Sequence, residues 1–225
     1  MSARAGRLIV FEGVEGAGKT TQLDRLSARF GRAGVAWVRF REPGGTAAGD
    51  RIRQILLDPG AAMDARTEAL LFMASRAELV ATAVRPALSG GAVVLLDRFF
   101  LSTYAYQVDG RGLAEPDVRA ANAAATGGLV PDLTLLLSMP SGQGLARAQQ
   151  RGPSDRMERS GPAFHARVEA AFARFVTPAW QASHPEAGPV VVVDAAGSPE
   201  EVEQRVVAAL TRHLSDLRAA MERVA

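Results

Sequence analysis

The chain has 225 residues, of which 48% are hydrophobic, so it can bury a sizeable core. Cysteine is absent, which excludes disulfide bonds and thiolate metal sites and suits a reducing cytoplasm. The net charge is only +2, and no apolar run approaches the roughly 18 residues that span a bilayer. We therefore expect a cytoplasmic protein that binds neither nucleic acid nor a membrane.

Short apolar runs alternate with longer helical patterns along the chain. The apolar runs are typical of strands buried on both faces, and they are LIVF (8–11), VAWVRF (35–40), AVVLL (92–96), LTLLL (133–137) and VVVV (190–193). Amphipathic helices are predicted over 20–33, 67–88, 164–182 and 198–223, the second with Leu70, Met73 and Ala77 on its apolar stripe. Strands that alternate with helices indicate an α/β fold with a parallel sheet, in one domain over residues 1–225.

The segment FEGVEGAGKTT, residues 11–21, lies between the first predicted strand and the first predicted helix. In this context the spacing of Gly13, Gly18 and Lys19 is that of a phosphate loop, whose backbone N–H groups point at phosphate oxygens. Lys19 is the only lysine of the chain, and a compact cation there can bridge phosphates in a way that arginine cannot. Thr20 can ligate Mg²⁺. The predicted nucleotide-binding residues are Gly13, Val14, Glu15, Gly16, Ala17, Gly18, Lys19, Thr20 and Thr21.

Asp97 and Arg98 end the third predicted strand. The carboxyl ends of parallel strands form the ligand edge of a sheet, so Asp97 should lie near the phosphate loop, where it would hold Mg²⁺ through water or orient an acceptor. Arg98 offers a bidentate grip on a second phosphate. The alternatives are a helix N-cap for Asp97 and a surface ion pair for Arg98. Two phosphate-binding groups on one edge favour transfer between two phosphorylated substrates over hydrolysis.

The segment ARAQQRGPSDRMERSG, residues 146–161, places arginines around a Gly-Pro break between two predicted helices. A mobile lid over about 147–160 would exclude water and neutralise the charge of a migrating phosphoryl group. A solvated, salt-bridged helix face is the alternative. The arginines are Arg147, Arg151, Arg156 and Arg159.

Five segments, in their order and separations, resemble bacterial thymidylate kinases. They are FEGVEGAGKTTQ, REPGGT, LLFMASRAE, DRFFLSTYAYQ and RGPSDRME, and the resemblance covers roughly residues 7–215. It implies a P-loop nucleoside-monophosphate-kinase-like three-layer sandwich with a five-stranded parallel sheet, and a homodimer. It also implies phosphorylation of dTMP to dTDP with ATP and Mg²⁺. Gly16 stands where some members carry a catalytic arginine, which matches the subtype whose lid supplies that arginine, here Arg151 or Arg156.

The resemblance also implies roles for individual residues. Phe72 and Arg76 lie one helical turn apart, so the ring can stack on thymine while the guanidinium donates to a carbonyl of the base, although core packing is an alternative for Phe72. Thr103 and Gln107 would bond the base, and Tyr106 would stand where a ribose 2′-hydroxyl would lie. The implied catalytic residues are Lys19, Asp97, Arg98, Arg151 and Arg156, and the implied metal ligands are Thr20 and Asp97. The implied acceptor-binding residues are Glu15, Glu42, Pro43, Arg53, Phe72, Arg76, Arg98, Thr103, Tyr106 and Gln107.

Two other kinds of protein share part of this pattern. Another nucleoside monophosphate kinase, or a deoxynucleoside kinase, would have the same phosphate loop and Asp-Arg pair. A nucleotide-dependent switch that slowly hydrolyses ATP or GTP would also have the loop. The chain lacks an NKxD guanine-binding motif, and a switch has no evident use for arginines on the acceptor side.

Overall fold

A computed structural model describes residues 6–139, 144 and 155–223. Its centre is a five-stranded parallel sheet in the order β2-β3-β1-β4-β5. The strands are β1 (Arg7–Glu12), β2 (Trp37–Arg41), β3 (Val93–Asp97), β4 (Leu133–Ser138) and β5 (Val190–Asp194). Every predicted strand is present close to its expected bounds, so the predicted parallel α/β fold is confirmed.

Helices cover both faces of this sheet. They are α1 (Lys19–Ala33), α2 (Ala47–Leu57), α3 (Ala65–Leu79), α4 (Arg85–Ser89), α5 (Phe100–Thr103), α6 (Glu115–Thr126), α7 (Pro162–Phe175), α8 (Pro178–Ser183), α9 (Pro199–His213) and α10 (Ser215–Glu222). Two π-helical turns, Val80–Val84 and Tyr104–Gly110, continue α3 and α5, and a 3₁₀ turn, Pro185–Ala187, precedes β5.

Successive side chains of β1 enter two separate cores. Leu8 and Val10 pack in the cluster to which α7 contributes, whereas Ile9 and Phe11 pack in the cluster to which α1 and α9 contribute. This alternation follows from the two-residue period of a strand, and both directions are apolar because both faces are covered. The layers are therefore helix, sheet and helix, as the three-layer prediction requires.

Three of the long predicted helices are interrupted in the structure. The pattern over 67–88 is divided among α3, a π-helical turn and α4, and the pattern over 198–223 is divided at Leu214. The pattern over 164–182 breaks before α8, where the Thr177 hydroxyl caps the new helix by accepting from the Trp180 N–H. Pro178 stands at the first position of that helix, where its missing N–H is harmless.

The predicted apolar stripe of α3 is wrong at one position. Leu70 is 63% exposed, whereas Met73 is buried as expected. The inward face of α3 is instead partly polar, with Glu68, Ser75 and Arg76 all buried. A stripe inferred from apolar residues alone misses this face, because its buried polar groups are satisfied by hydrogen bonds across the fold.

The direction in which successive strands are added reverses beside β1, and this reversal locates the edge of the sheet where ligands are expected. In the sheet, β2 and β3 lie on one side of β1, whereas β4 and β5 lie on its other side. Ligands bind at such a switch point, outside the carboxyl ends of the strands. Here the ends of β1 and β3 are neighbours, with Phe11 aligned with Asp97. Within the described residues, none of the helices combines the length and apolar character needed to cross a membrane.

Candidate active site

A cleft of about 740 Å³ opens at the carboxyl ends of the strands and contains most of the predicted site residues. Those that line it are Glu15, Gly16, Gly18, Lys19, Thr20, Glu42, Pro43, Arg53, Phe72, Arg76, Asp97, Arg98, Thr103, Tyr106 and Gln107. Gly13, Val14, Ala17 and Thr21 belong to the same loop and helix start without lining the cleft. The predicted lid arginines Arg147 and Arg151 lie outside the described residues.

The phosphate loop has the backbone that its glycines predict. Gly13 has φ 139° and Gly18 has φ 89°, conformations that side-chain-bearing residues rarely adopt. A Cβ on Gly13 would also lie 2.5 Å from the carbonyl oxygen of Leu137. Gly18 is the N-cap of α1, so the N-terminus of this helix opens at the loop. Free N–H groups and the helix dipole make such an end an anion site.

Lys19 is held inside the loop by the loop's own carbonyl groups. Its Nζ donates to the oxygens of Gly13 and Val14, at 2.9 Å each, and the residue is 7% exposed. Burial and the nearby charge of Arg98 lower the pKa of Lys19 to about 8, against the opposing effect of the Glu15 carboxylate. A bound phosphate would add negative charge beside this ammonium and favour its protonated form.

Thr20 and Asp97, the two predicted metal ligands, lie next to each other. The Thr20 hydroxyl donates to Asp97 Oδ2 at 3.4 Å. No group of three or more His, Asp or Glu side chains suited to a metal ion occurs among the described residues. Mg²⁺ commonly keeps several waters and binds through one or two carboxylates plus substrate phosphates, so this sparse donor set fits Mg²⁺. The N-cap of α5 is Phe99 rather than Asp97, which removes the capping alternative.

Arg98 has an unusual backbone and a largely buried side chain. It is the one non-glycine residue with positive φ, 71°, in the described part of the chain, a conformation that costs on the order of 1–3 kcal/mol. Its guanidinium donates to the Gly13 oxygen at 3.2 Å and to Ser102 Oγ at 2.8 Å, and it forms an ion pair with Glu15. Burial alone would lower the pKa of Arg98, but nearby carboxylates led by Glu15 raise it. Arg98 therefore belongs to the cleft rather than to a surface ion pair.

Arg76 is buried, and its guanidinium is the centre of a hydrogen-bonded cluster, the Arg76 hub, so it is not a free donor. It is 2% exposed, and its guanidinium lies 4.8 Å from the centroid of the Phe99 ring. All three of its nitrogens bond protein acceptors, namely Glu42 at 2.7 Å, Thr103 at 2.9 Å, the Phe99 carbonyl at 2.9 Å and the Asn122 side chain. In this arrangement Arg76 positions the predicted acceptor residues Glu42 and Thr103. A contact with a base would require one of these bonds to be shared.

Glu42 is the buried carboxylate partner of Arg76. Burial raises the pKa of Glu42, whereas the adjacent Arg76 lowers it. One carboxylate oxygen is bonded to Arg76, but within the described residues Oε1 accepts no hydrogen bond although it is buried. A buried acceptor of this kind in a cleft wall is unfavourable until water or a ligand donates to it.

Arg53 and Tyr106 also lie in the cleft wall. Arg53 Nη1 donates to the Pro43 oxygen at 3.0 Å, and burial together with the charge of Arg41 lowers its pKa. The Tyr106 ring lies 5.2 Å from the Arg98 guanidinium, and burial raises the pKa of its hydroxyl. The wall thus presents cations beside an aromatic ring.

Sequence reasoning missed two buried carboxylates beside the cleft, and the first is Glu12. It is fully buried at the end of β1 and accepts from the N–H of Phe99 at 2.7 Å and from the N–H and hydroxyl of Ser102 at 3.0 and 2.6 Å. These bonds hold the start of α5 against β1. A glutamate directly after the apolar run LIVF was the available signal, because a charge that ends a buried strand needs partners.

The second missed carboxylate, Glu68, binds the described part of the predicted lid. Arg156 Nη1 donates to it at 2.6 Å, and Arg156 Nε donates to the Leu56 carbonyl at 2.8 Å. Asp155, Met157 and Glu158 line the cleft, but Arg156 is not among the lining residues. The structure therefore holds this predicted catalytic arginine on α2 and α3, outside the cleft wall.

Comparison with known proteins identifies the relatives of this chain. The family model described as thymidylate kinase matches residues 11–206. The chain belongs to the thymidylate kinase family. A thymidylate kinase of Deinococcus radiodurans is 45% identical over 206 residues, 92% of this chain and 97% of the relative. One of Pseudomonas fluorescens is 45% identical over 95% of this chain and 99% of the relative, and one of Thermosynechococcus vestitus is 42% identical over 93% and 89%.

Family membership confirms the resemblance stated from the five sequence segments. It also makes the protein a kinase, an enzyme that uses a nucleotide as its phosphate donor. The matched region contains the whole cleft wall, from the phosphate loop to the segment that carries Arg156.

Proposed function

We propose that this protein transfers the γ-phosphoryl group of ATP to the 5′-phosphate of dTMP and releases ADP and dTDP. The observation that carries the proposal is that one cleft, in a chain of this family, has a phosphate loop and acceptor-side arginines on adjoining walls. Hydrolysis has no need for the second set of cations, whereas transfer between two phosphorylated molecules does.

On the donor side, the backbone of the phosphate loop and Lys19 would bind the phosphates of ATP. Thr20 and Asp97 would hold Mg²⁺, which neutralises phosphate charge when it is bound. Lys19 already lies between loop carbonyl groups and needs only a local movement of its head group to meet a phosphate.

On the acceptor side, Arg98 and Arg53 would bind the phosphate of dTMP. Phe72, half-buried in the cleft wall, would stack on the base, and Thr103 and Gln107 would contact the polar edge of the base. Tyr106 would fill the space of a ribose 2′-hydroxyl, and Glu15, paired with Arg98, would contact the sugar.

The reaction requires positioning and charge stabilisation more than proton transfer. The dTMP phosphate is largely ionised near neutral pH, so no side-chain base is needed, and in-line attack depends on how the two phosphates are aligned. A lid arginine would stabilise the charge on the transferred group. Arg151 and Arg156 are the two candidates, and the bonds of Arg156 to Glu68 and to the Leu56 carbonyl favour Arg151 for this role. We further propose that the single domain forms a homodimer in the cytoplasm.

The experiment that tests the proposal measures ADP release from ATP and Mg²⁺ with dTMP, dUMP, ribothymidine monophosphate, dCMP, dGMP and AMP in parallel. The expected order is strong stimulation by dTMP, weaker stimulation by dUMP and little by the ribose form. If another monophosphate is preferred, the base assignment is wrong. Slow hydrolysis that no monophosphate stimulates would support a nucleotide-dependent switch instead.

A further inference from the structure

Glu68 joins three separate segments at one end of the cleft. It is 1% exposed, and its carboxylate accepts from Gln107 Nε2 at 2.9 Å, Arg111 Nη2 at 3.0 Å and Arg156 Nη1 at 2.6 Å. Gln107 lies on the π-helical turn Tyr104–Gly110, Arg111 follows that turn, and Arg156 belongs to the predicted lid. One carboxylate therefore connects a cleft wall to the lid segment.

Arg156 has a second attachment that fixes the direction of its segment. Its Nε donates to the Leu56 carbonyl at 2.8 Å, and its backbone N–H donates to the Leu57 carbonyl at 3.3 Å. With the guanidinium bound to Glu68 and α2, the neighbouring residues Met157 and Glu158 face the cleft. Arg156 thus sets the position of the segment without entering the cleft itself.

The face of α3 that carries Glu68 continues into the predicted base pocket. Glu68, Phe72 and Arg76 are spaced four residues apart, so they lie on one face of the helix. Phe72 is the predicted stacking residue, and Gln107, which donates to Glu68, is a predicted contact of the base. Glu68 consequently contacts Gln107 on one wall of the predicted base pocket and lies one helical turn from Phe72 on the other.

The arrangement depends on the negative charge of Glu68, which lies between two arginines. Burial alone would raise the pKa of Glu68, but hydrogen bonds from Arg111, Gln107 and Arg156 outweigh it, and the pKa lies below the usual value. The carboxylate is the shared counter-ion of two arginines. Without it, neither of these partly buried cations would keep a negative partner among the described residues, and at least one would have to move.

We propose that Glu68 is a positioning residue that couples the base pocket to residues 155–158, and that Arg156 acts through Glu68 rather than on the transferred phosphoryl group. The inference rests on the proposed function. When Glu68 or Arg156 is replaced, Gln107 and the lid segment lose a common anchor. The base then binds less tightly. Residues 155–158 are also held less firmly at the cleft, so water enters and ATP is hydrolysed without transfer.

The test compares Glu68→Gln, Arg156→Gln and the double variant in full steady-state kinetics, measuring ADP and dTDP separately. Each single variant should raise the KM for dTMP about 10-fold and increase the ratio of ADP to dTDP, with the KM for ATP changed less than about 2-fold. The double variant should be no less active than the less active of the two single variants, because both changes break the same set of contacts. Arg66→Gln, an exposed residue on the first turn of α3, is the matched control and should behave as wild type.

Three results would overturn the inference. One is additive losses in the double variant, and another is an unchanged KM for dTMP in both single variants. The third is a loss of about 10³-fold in kcat for Arg156→Gln with normal Glu68→Gln kinetics, which would place Arg156 on the phosphoryl group. If Glu68→Gln does not fold, Arg156→Gln alone decides between a KM effect and a kcat effect. A wild type inactive on dTMP refutes the proposed function as well, whereas an active wild type with any of these results refutes only the coupling.

Discussion

The donor and acceptor walls of the cleft differ in where their polar groups come from. On the donor side, a single continuous segment supplies backbone N–H groups and Lys19, and the conformation depends on local glycines such as Gly13 and Gly18. On the acceptor side, the groups come from the segments after β2 and β3, from α2, α3 and α5, and from the turn after α5, and buried ion pairs such as Arg76–Glu42 hold them in place. Damage to the donor wall should therefore reduce the chemistry, whereas damage to the acceptor wall should reduce stability and selectivity.

The largest expected effect of a single change is on the donor wall. Lys19→Ala should fold normally, because it removes a buried ammonium whose charged form is disfavoured, yet it should lose almost all phosphoryl transfer. Thermal unfolding and dTDP formation measure the two properties separately. Retention of more than about a tenth of wild-type activity would contradict the role of Lys19 in holding phosphate.

Arg76 gives the opposite result on the acceptor wall. Arg76→Met leaves the Glu42 carboxylate buried without its cation, so it should destabilise the fold by about 3–5 kcal/mol in urea unfolding. The double variant Glu42→Gln, Arg76→Met should recover part of that loss, since the uncompensated charge is gone. A cost below about 1 kcal/mol for Arg76→Met would show that the ion pair does not hold this wall together.

Tyr106 should determine the selectivity between deoxyribose and ribose acceptors. Tyr106→Ala opens space beside Arg98, so the ratio of kcat/KM for ribothymidine monophosphate to that for dTMP should rise about 10-fold. Tyr106→Phe keeps the ring and should keep the discrimination. If both variants relax it equally, the hydroxyl rather than the bulk of the ring excludes the ribose.

The smallest effect is a proton taken up on nucleotide binding. The pKa of Lys19 in the free protein is about 8, below its unfolded value of about 10.4. The folded state therefore binds fewer protons between these values, and the stability contributed by this group rises with pH through that window. Bound phosphate should restore the charged form, so ADP binding should take up about half a proton at pH 8 and nearly one at pH 9. Calorimetry in buffers of different ionisation enthalpy measures this uptake, and heats independent of buffer at both values would contradict it.

The contrast between the walls also explains what the sequence could predict. The five strands are short apolar runs, and the phosphate loop is a local pattern, so both could be predicted from contiguous residues. The break at Leu214 was harder to predict, because an amphipathic pattern continues through it. The break at Thr177 did have a local signal, the proline that follows it. Leu70 shows the same limit, since its spacing fits a buried stripe although most of its surface is exposed.

The buried polar network required information that no single segment contains. Glu68 resembles an ordinary surface residue of an amphipathic helix until Gln107, Arg111 and Arg156 arrive from distant parts of the chain. Asn122, which completes the Arg76 hub, likewise has no local signal. For the same reason the sequence could name Arg156 as a lid arginine but could not show that it binds α2 and α3.

The most direct test of the central claim is to incubate the purified protein with ATP, Mg²⁺ and dTMP and to quantify both products by chromatography. We predict that ADP and dTDP appear in equal amounts and that neither forms at a comparable rate when dTMP is omitted. ADP without dTDP, at a rate independent of dTMP, would contradict the claim that the two walls of this cleft serve phosphoryl transfer between nucleotides.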